Sequence, residues 1–92
     1  MTYIITYHED VVKDDISKLS NIYKIKIKKA IQNKLSTQPE IFGKPLRKSL
    51  KNYRKLRVDQ YRIIFRIKNK HVMIFAIMHR SIVYKKMDSR IM

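Results

Sequence analysis

The pattern of apolar and polar positions divides the chain into a helical first half and a strand-rich second half. Residues 2–7 are rich in β-branched and aromatic side chains, which predicts a short strand. Apolar residues then recur at helical spacing and predict a first helix ending near Leu19 and a second capped by Ser20 and Asn21. Thr6 and Glu9 have the spacing of a capping box for the first helix. Because the connection between the two helices is so short, we expect an antiparallel hairpin whose apolar faces need a sheet.

The second half predicts an antiparallel meander of three strands. Both prolines and the single glycine fall within residues 38–52, which indicates a loop. Strand-like runs follow at residues 53–58, 61–67 and 71–78, separated by spacers of hairpin length. Residues 81–92 predict a short C-terminal helix. The predicted fold class is therefore α+β in the order β-α-α-β-β-β, with a helical hairpin packed on a small, mainly antiparallel sheet. We expect residues 1–92 to form a single domain.

Side-chain alternation in the first strand of the meander predicts one core face and one basic face. Arg54 shares a face with the apolar residues of this strand, whereas Lys55 and Arg57 lie on the other. Arg62 lies just past the following tight turn, so the meander brings it opposite the two cations. Their mutual repulsion costs stability, and such a cluster is more easily explained if an anion occupies it.

The charge of the chain is concentrated in this second half. The 92 residues contain 22 Lys and Arg and 7 Asp and Glu, a formal net charge of +15. Residues 47–92 carry seven lysines, all seven arginines and two acids, so +12 of that charge lies there. The excess indicates a polyanionic partner, and guanidinium groups suit phosphate in particular.

Composition also excludes several classes of site. The chain has no cysteine, which rules out disulfides, a thiolate nucleophile, thiolate zinc sites and iron–sulfur clusters. The longest apolar run, residues 72–78, is too short to span a membrane, and the N-terminus lacks a signal pattern. His8 and His71 have no partner at metal-ligand spacing, so we interpret them as surface residues. We expect a cytoplasmic protein without membrane, metal or cofactor.

The basic face is suited to cleavage of an RNA phosphodiester. The substrate supplies its own nucleophile, the 2′-hydroxyl, so the protein need supply only a base, an acid and cationic support for the transition state. A lysine crowded by arginines is disfavoured in its charged form and can act as a base, while a tyrosine can stack on a nucleobase. The candidate catalytic and flanking residues are Lys55, Arg57, Arg62, Arg80 and Tyr84, with Arg47, Lys48, Lys51 and Arg54 as additional phosphate-binding charge.

The same residues also have purely structural interpretations. Arg57 and Arg62 can simply solvate a sheet face or pair with Asp59, and Tyr84 can be a packing residue at an edge. His79 can act as an acid or base beside Arg80, or can be purely structural.

The motifs of the second half resemble those of the RelE/ParE toxin superfamily. The resemblance is carried by Lys44-Pro45-Leu46, by YRKLRVDQYRIIF at residues 53–65 and by HRSIVY at residues 79–84. It implies a small α/β toxin held inactive by an antitoxin. RelE-like members cleave mRNA in the ribosomal A site and leave a 2′,3′-cyclic phosphate, whereas ParE-like members poison DNA gyrase and lack the basic active face.

The resemblance also implies roles for individual residues. Lys55 falls on a lysine assigned to proton transfer, and Arg57 lies on the same strand face. Arg62 falls on an arginine that contacts the scissile phosphate. Arg80 matches the arginine of the closing strand, and Tyr84 the late tyrosine that positions the substrate base. The spacing from Arg80 to Tyr84 is shorter than in some members, which puts the role of Arg80 as general acid in question.

Three functions therefore compete. The first is a ribosome-dependent endoribonuclease toxin with mRNA and a cognate antitoxin as partners. The second is a ParE-like inhibitor of gyrase without nuclease activity, and the third is a non-catalytic basic module that binds RNA or the ribosome through charge alone.

Overall fold

The computed structural model describes residues 2–47 and 50–91 of the chain. Within these ranges five strands form one sheet: β1 (Ile4–Tyr7), β2 (Lys44–Pro45), β3 (Arg54–Val58), β4 (Tyr61–Lys68) and β5 (His71–His79). The strand order is β1-β5-β4-β3-β2. β1 runs parallel to β5, and the other neighbouring strands are antiparallel. The predicted α+β class and the meander are thus confirmed.

The helices lie on both faces of this sheet. After β1 come the N-terminal helical turns, a π-helical turn (Val11–Asp15) followed by a 3-10 turn (Ile16–Lys18). Helix α1 (Asn21–Ala30) continues into a π-helical turn (Ile31–Leu35), and the single turn α2 (Pro39–Phe42) follows. Helix α3 (Val83–Ile91) closes the chain, as the C-terminal prediction expects. No helix in the described part of the chain is long and apolar enough to cross a membrane.

Ser20 separates the two arms of the helical hairpin. Leu19 adopts an extended backbone, and the Ser20 side chain accepts a hydrogen bond from the Tyr23 amide at the start of α1. A serine in this position satisfies one of the amide donors that the first turn of a helix leaves free. The predicted boundary between the helices is therefore confirmed, and the Ser20 cap explains where the second helix begins.

Apolar side chains cover each face of the sheet in a separate cluster. We call the two faces the hairpin face and the α3 face after the elements that pack on them. The hairpin face buries strand residues against the N-terminal helical turns and α1; its buried members include Leu56, Ile63, Phe65, Val72, Ile74 and Ile77, packed on Val11, Ile27, Ile31 and Leu35. The α3 face buries Ile64, Ala76 and Met78 against Val83 and Met87, with Leu50 beside them.

The predicted capping box is wrong. Thr6 lies inside β1 in register with Met73, and its hydroxyl donates to the thioether sulfur of that residue. His8 is the residue that starts the helical turns, because its Nδ1 accepts from the Asp10 amide at 3.1 Å and its carbonyl accepts from the Val11 amide. His8 is therefore a half-buried capping residue, not the surface residue that spacing suggests.

The segment predicted as a loop contains short ordered elements. Both α2 and the two-residue strand β2 fall within it, and β2 extends the sheet beyond β3. A Cβ on Gly43 would overlap the ring of buried Phe65, so the glycine allows the close approach between α2 and the sheet. This close approach places Lys44 at the edge of the sheet.

Candidate active site

Four cations lie on the α3 face of three adjacent strands, β2, β3 and β4. In the antiparallel register Lys44 is the partner of Lys55, and Arg57 is the partner of Arg62. Partners in a register project from the same face, with Cβ atoms about 5 Å apart. We call Lys44, Lys55, Arg57 and Arg62 the cationic cluster. The predicted grouping of the last three residues agrees with this register.

Arg62 is a buried cation that has no carboxylate partner in the described part of the chain. Only 7% of its surface is exposed, while Arg57 opposite it is exposed. Its Nη1 donates to the main-chain carbonyls of Asp59 and Tyr61 at 3.0 and 2.9 Å. Within residues 2–47 and 50–91, no member of the cationic cluster forms an ion pair. A buried charge in this condition is costly unless something else compensates it.

The carboxylate of Asp59 faces the helical hairpin instead of the cationic cluster. It accepts hydrogen bonds from the Lys26 ammonium and from the Tyr23 hydroxyl of α1. The Lys26 hydrogen bond is the main reason why the pKa of Asp59 lies below its usual value. The interpretation that Asp59 neutralises Arg57 or Arg62 is therefore wrong.

Tyr84 borders the cationic cluster, and the backbone of Arg80 lies at the same end of the sheet. Tyr84 is in the first turn of α3, and the Lys55 ammonium lies 5.9 Å from the centroid of its ring, within cation–π range. Arg80 is an exposed residue just after β5, and its amide donates to the Gln60 carbonyl at 2.8 Å. That bond holds the backbone of Arg80 against the β3–β4 turn, at the same end of the sheet as Arg62.

The structure does not bring every predicted phosphate contact to this cluster. Arg54 projects from the opposite face, and its Nη1 donates to the carbonyls of Gly43 and Glu40 at the end of α2. Lys51 lines a shallow pocket together with Arg54 and Glu40. Arg47 is exposed in the segment after β2. Lys48 lies outside the described residues. Arg54 is therefore a capping residue and stands apart from the cluster.

His79 also lies apart from the cluster. It is the register partner of Tyr61 on the hairpin face, with ring centroids 5.9 Å apart. Its Nδ1 accepts from the Ser81 amide at 3.1 Å and lies 2.8 Å from the Ser81 hydroxyl oxygen. These contacts shape the turn before α3, so the structure supports the structural interpretation of His79.

Sequence reasoning missed Lys44 as a member of the cluster. A strand of two residues is too short to show alternation, and lysines of the first half carry little information on their own. The signal that could have found it is the string Lys44-Pro45-Leu46, because proline is tolerated in a sheet at an edge strand. The pairing of Lys44 with Lys55 places this string on an edge strand, next to the cations of β3.

Comparison with solved structures shows which class of proteins shares this fold. The RelBE2 toxin–antitoxin complex from Mycobacterium tuberculosis contains a chain 27% identical to this one, with a TM-score of 0.81, covering 87% of this chain and 100% of that one. The isolated E. coli RelE toxin is 25% identical with a TM-score of 0.65, covering 98% and 99% of the two chains. The RelB–RelE antitoxin–toxin complex from Methanococcus jannaschii is 23% identical with a TM-score of 0.67, covering 88% and 96%, and supports the fold alone. The fold is thus one that toxins of toxin–antitoxin systems adopt.

The family follows from the sequence itself. The model of the family described as ParE toxin of type II toxin-antitoxin system, parDE, matches residues 5–84. The chain belongs to this family, within the RelE/ParE superfamily. No curated protein matches the sequence.

Proposed function

We propose that this toxin is an endoribonuclease of the RelE type, which cleaves mRNA in the ribosomal A site without a metal ion. The observation that carries the proposal is Arg62, a nearly buried guanidinium that has no carboxylate partner in the described residues and faces a second arginine. A phosphate between the two arginines compensates both charges at once, because guanidinium groups bind phosphate oxygens in bidentate geometry.

The proposed reaction uses the ribose of the message as nucleophile. Lys55 accepts the proton of the 2′-hydroxyl while the 2′-oxygen attacks the phosphorus atom. Arg57 and Arg62 stabilise the charge that develops on the phosphate oxygens. The bond to the 5′-oxygen breaks, and Arg80 is the proposed donor of a proton to this leaving group. The products are a 2′,3′-cyclic phosphate and a free 5′-hydroxyl.

Tyr84 and Lys44 complete the proposed site. The ring of Tyr84 beside Lys55 can stack on the base next to the scissile bond and align the 2′-oxygen for attack. Lys44 is an exposed cation next to Lys55 and supplies a further phosphate contact. Arg47, Lys48 and Lys51 extend the positive charge that attracts RNA, which is the less specific part of the proposal.

The test is cleavage of a message on purified ribosomes, followed by mapping of the new ends. Lys55→Met and Arg62→Met are each expected to lower the cleavage rate at least about 100-fold, and Tyr84→Phe tests whether the hydroxyl or only the ring is needed. Arg66→Met is the matched control, because Arg66 is an exposed arginine on the same strand as Arg62. Cleavage that survives in the Lys55 and Arg62 variants would show that the site is assigned to the wrong residues.

We further propose that a cognate antitoxin neutralises the toxin. The similar chains from Mycobacterium tuberculosis and Methanococcus jannaschii are found in complexes with antitoxins. The uncompensated cationic cluster favours an acidic segment of such a partner. Co-purification with the product of the adjacent reading frame at low salt tests this. Failure of the two proteins to bind at low salt would contradict it.

Inhibition of DNA gyrase is the second candidate function. It is favoured by the family model, which is that of ParE toxins. It predicts loss of supercoiling activity in a purified gyrase assay and intact message on ribosomes. The cationic cluster counts against this candidate, because the resemblance implies that ParE-like members lack the basic face.

A further inference from the structure

Among the residues that the structure describes, no strand lies beside the second half of the outer edge of β5. The pairing of β1 with β5 ends at Tyr7 and Ile74, whereas β5 continues to His79. Main-chain groups on such an edge need other partners when they are buried. Two side chains supply them: the Asp15 carboxylate accepts from the Ile77 amide at 2.9 Å, and Arg90 Nη1 donates to the Phe75 carbonyl at 2.8 Å.

These two side chains also bind each other. Arg90 Nη1 and Nη2 lie 2.8 and 3.1 Å from the two carboxylate oxygens of Asp15, a bidentate pair. The two side chains are 9% and 3% exposed. The hydrogen bond to Asp15 is the main cause that raises the pKa of Arg90. Arg90 Nε also lies 3.6 Å from the more exposed Asp10 carboxylate. Loss of Arg90 therefore leaves the buried Asp15 charge uncompensated, whereas loss of Asp15 leaves Arg90 with Asp10 alone. The pair therefore joins the N-terminal helical turns, β5 and the last turn of α3 at one point.

Arg90 occupies the third anchoring position of α3. Val83 and Met87 are fully buried against the α3 face, and Arg90 follows on the same stripe of the helix. Tyr84 lies in the first turn of α3, one residue away from that stripe. Its distance to Lys55 therefore depends on how α3 lies on the sheet, and Arg90 fixes the far end of the helix.

We propose that Asp15 and Arg90 are positioning residues that hold α3 on β5 and thereby keep Tyr84 over Lys55. Neither residue belongs to the cationic cluster, and each acts on the reaction only through α3. The catalytic part of this inference rests on the proposed function, whereas the part that concerns α3 does not require RNA. Hydrogen exchange tests the part that concerns α3, and cleavage kinetics test the catalytic part.

Hydrogen exchange of the backbone amides tests the structural part. In Arg90→Met we expect the α3 amides to exchange at least about tenfold faster, while the amides of β4 keep their protection. Asp15→Asn is the second variant, since its amide oxygen can still accept from Ile77, and Arg90→Lys is expected to restore part of the protection. Lys85→Met, an exposed change on α3, is the matched control. Unchanged α3 exchange, or equal acceleration in α3 and β4, would overturn the proposal.

Cleavage kinetics test the catalytic part. Arg90→Met is expected to lower the rate constant for cleavage of bound message about tenfold or more, with little change in binding of the message. In a Tyr84→Ala background the same substitution should cause no further loss, because the residue that it positions is gone. An equal loss in both backgrounds would show that Arg90 acts elsewhere. If the parent protein does not cleave at all, the proposed function fails, and hydrogen exchange alone decides whether the pair holds α3.

Discussion

Replacement of Arg62 by methionine is expected to remove function at little cost in stability. Arg62 and Arg57 are register partners, whose Cβ atoms lie about 5 Å apart. Two unit charges about 7 Å apart repel by about 2 kcal/mol at an effective dielectric constant of about 20. Exposure of Arg57 and salt reduce this to about 1 kcal/mol. Burial of the guanidinium adds a desolvation cost of roughly several kcal/mol. Against these costs stand two hydrogen bonds from Arg62 to carbonyls, worth about 1.5–3 kcal/mol each for a charged donor. The destabilising and stabilising contributions of the Arg62 charge nearly cancel, and methionine fills a similar volume.

The expected change in the free energy of unfolding is therefore below about 1.5 kcal/mol, against the 3–5 kcal/mol typical when one partner of a buried ion pair is removed. Denaturant melts of the parent and Arg62→Met measure this difference. A loss above about 3 kcal/mol would refute the reasoning, because it would mean that the folded chain already compensates the Arg62 charge.

The same variant tests anion binding directly. An anion at about ten times its dissociation constant stabilises a protein by about 1.4 kcal/mol. In a chain of this size that raises the melting temperature by about 6–11 °C. We expect sulfate, at constant ionic strength, to produce such a shift in the parent and in Arg66→Met, and to lose it in Arg62→Met. A shift that persists in Arg62→Met would refute the assignment of the anion to this residue.

Three further predictions concern the elements that support the site. Gly43→Ala should lower the free energy of unfolding by about 1–3 kcal/mol in a denaturant melt, because the new methyl group meets the ring of Phe65. An unchanged free energy of unfolding would contradict the close approach of α2 to the sheet. Lys26→Met should lower the melting temperature at pH 7. Because the pKa of Asp59 is lowered in the folded state, the difference should shrink as the pH falls below about 3.9 and vanish only when Asp59 is protonated in the folded protein as well. A difference that persists after that protonation would exclude this ion pair as its source. Arg54→Met should lower the melting temperature by about 5 °C through loss of the carbonyl contacts at the end of α2, and an unchanged melting temperature would contradict its capping role.

Most of the fold could be predicted from local patterns. The two hairpin turns follow strand-like runs of β-branched and apolar residues, and each turn uses a residue with positive φ, Asp59 or Asn69, of a type that tolerates it. The Ser20 cap lies in the sequence where the helix begins. These features are local, so a single sequence contains the information that determines them.

The parts that could not be predicted depend on contacts between distant segments. Asp15 and Arg90 are 75 residues apart, and Asp15 lies in a polar stretch that resembles a solvated helix face. Thr6 and Glu9 have the right spacing for a capping box, but pairing of β1 with β5 removes Thr6 from the helix start. The buried position of Arg62 and its hydrogen bonds to carbonyls at the β3–β4 turn are not revealed by alternation alone.

The proposed chemistry is tested most directly by a change in the substrate. The end-mapping experiment on ribosomes identifies the cleaved position, and a message with a single 2′-deoxy nucleotide on the 5′ side of that bond removes the proposed nucleophile. The parent protein is expected to leave a 2′,3′-cyclic phosphate on the normal message and not to cut the deoxy-substituted message at that bond. Cleavage at the same bond of the substituted message would contradict attack by the ribose hydroxyl.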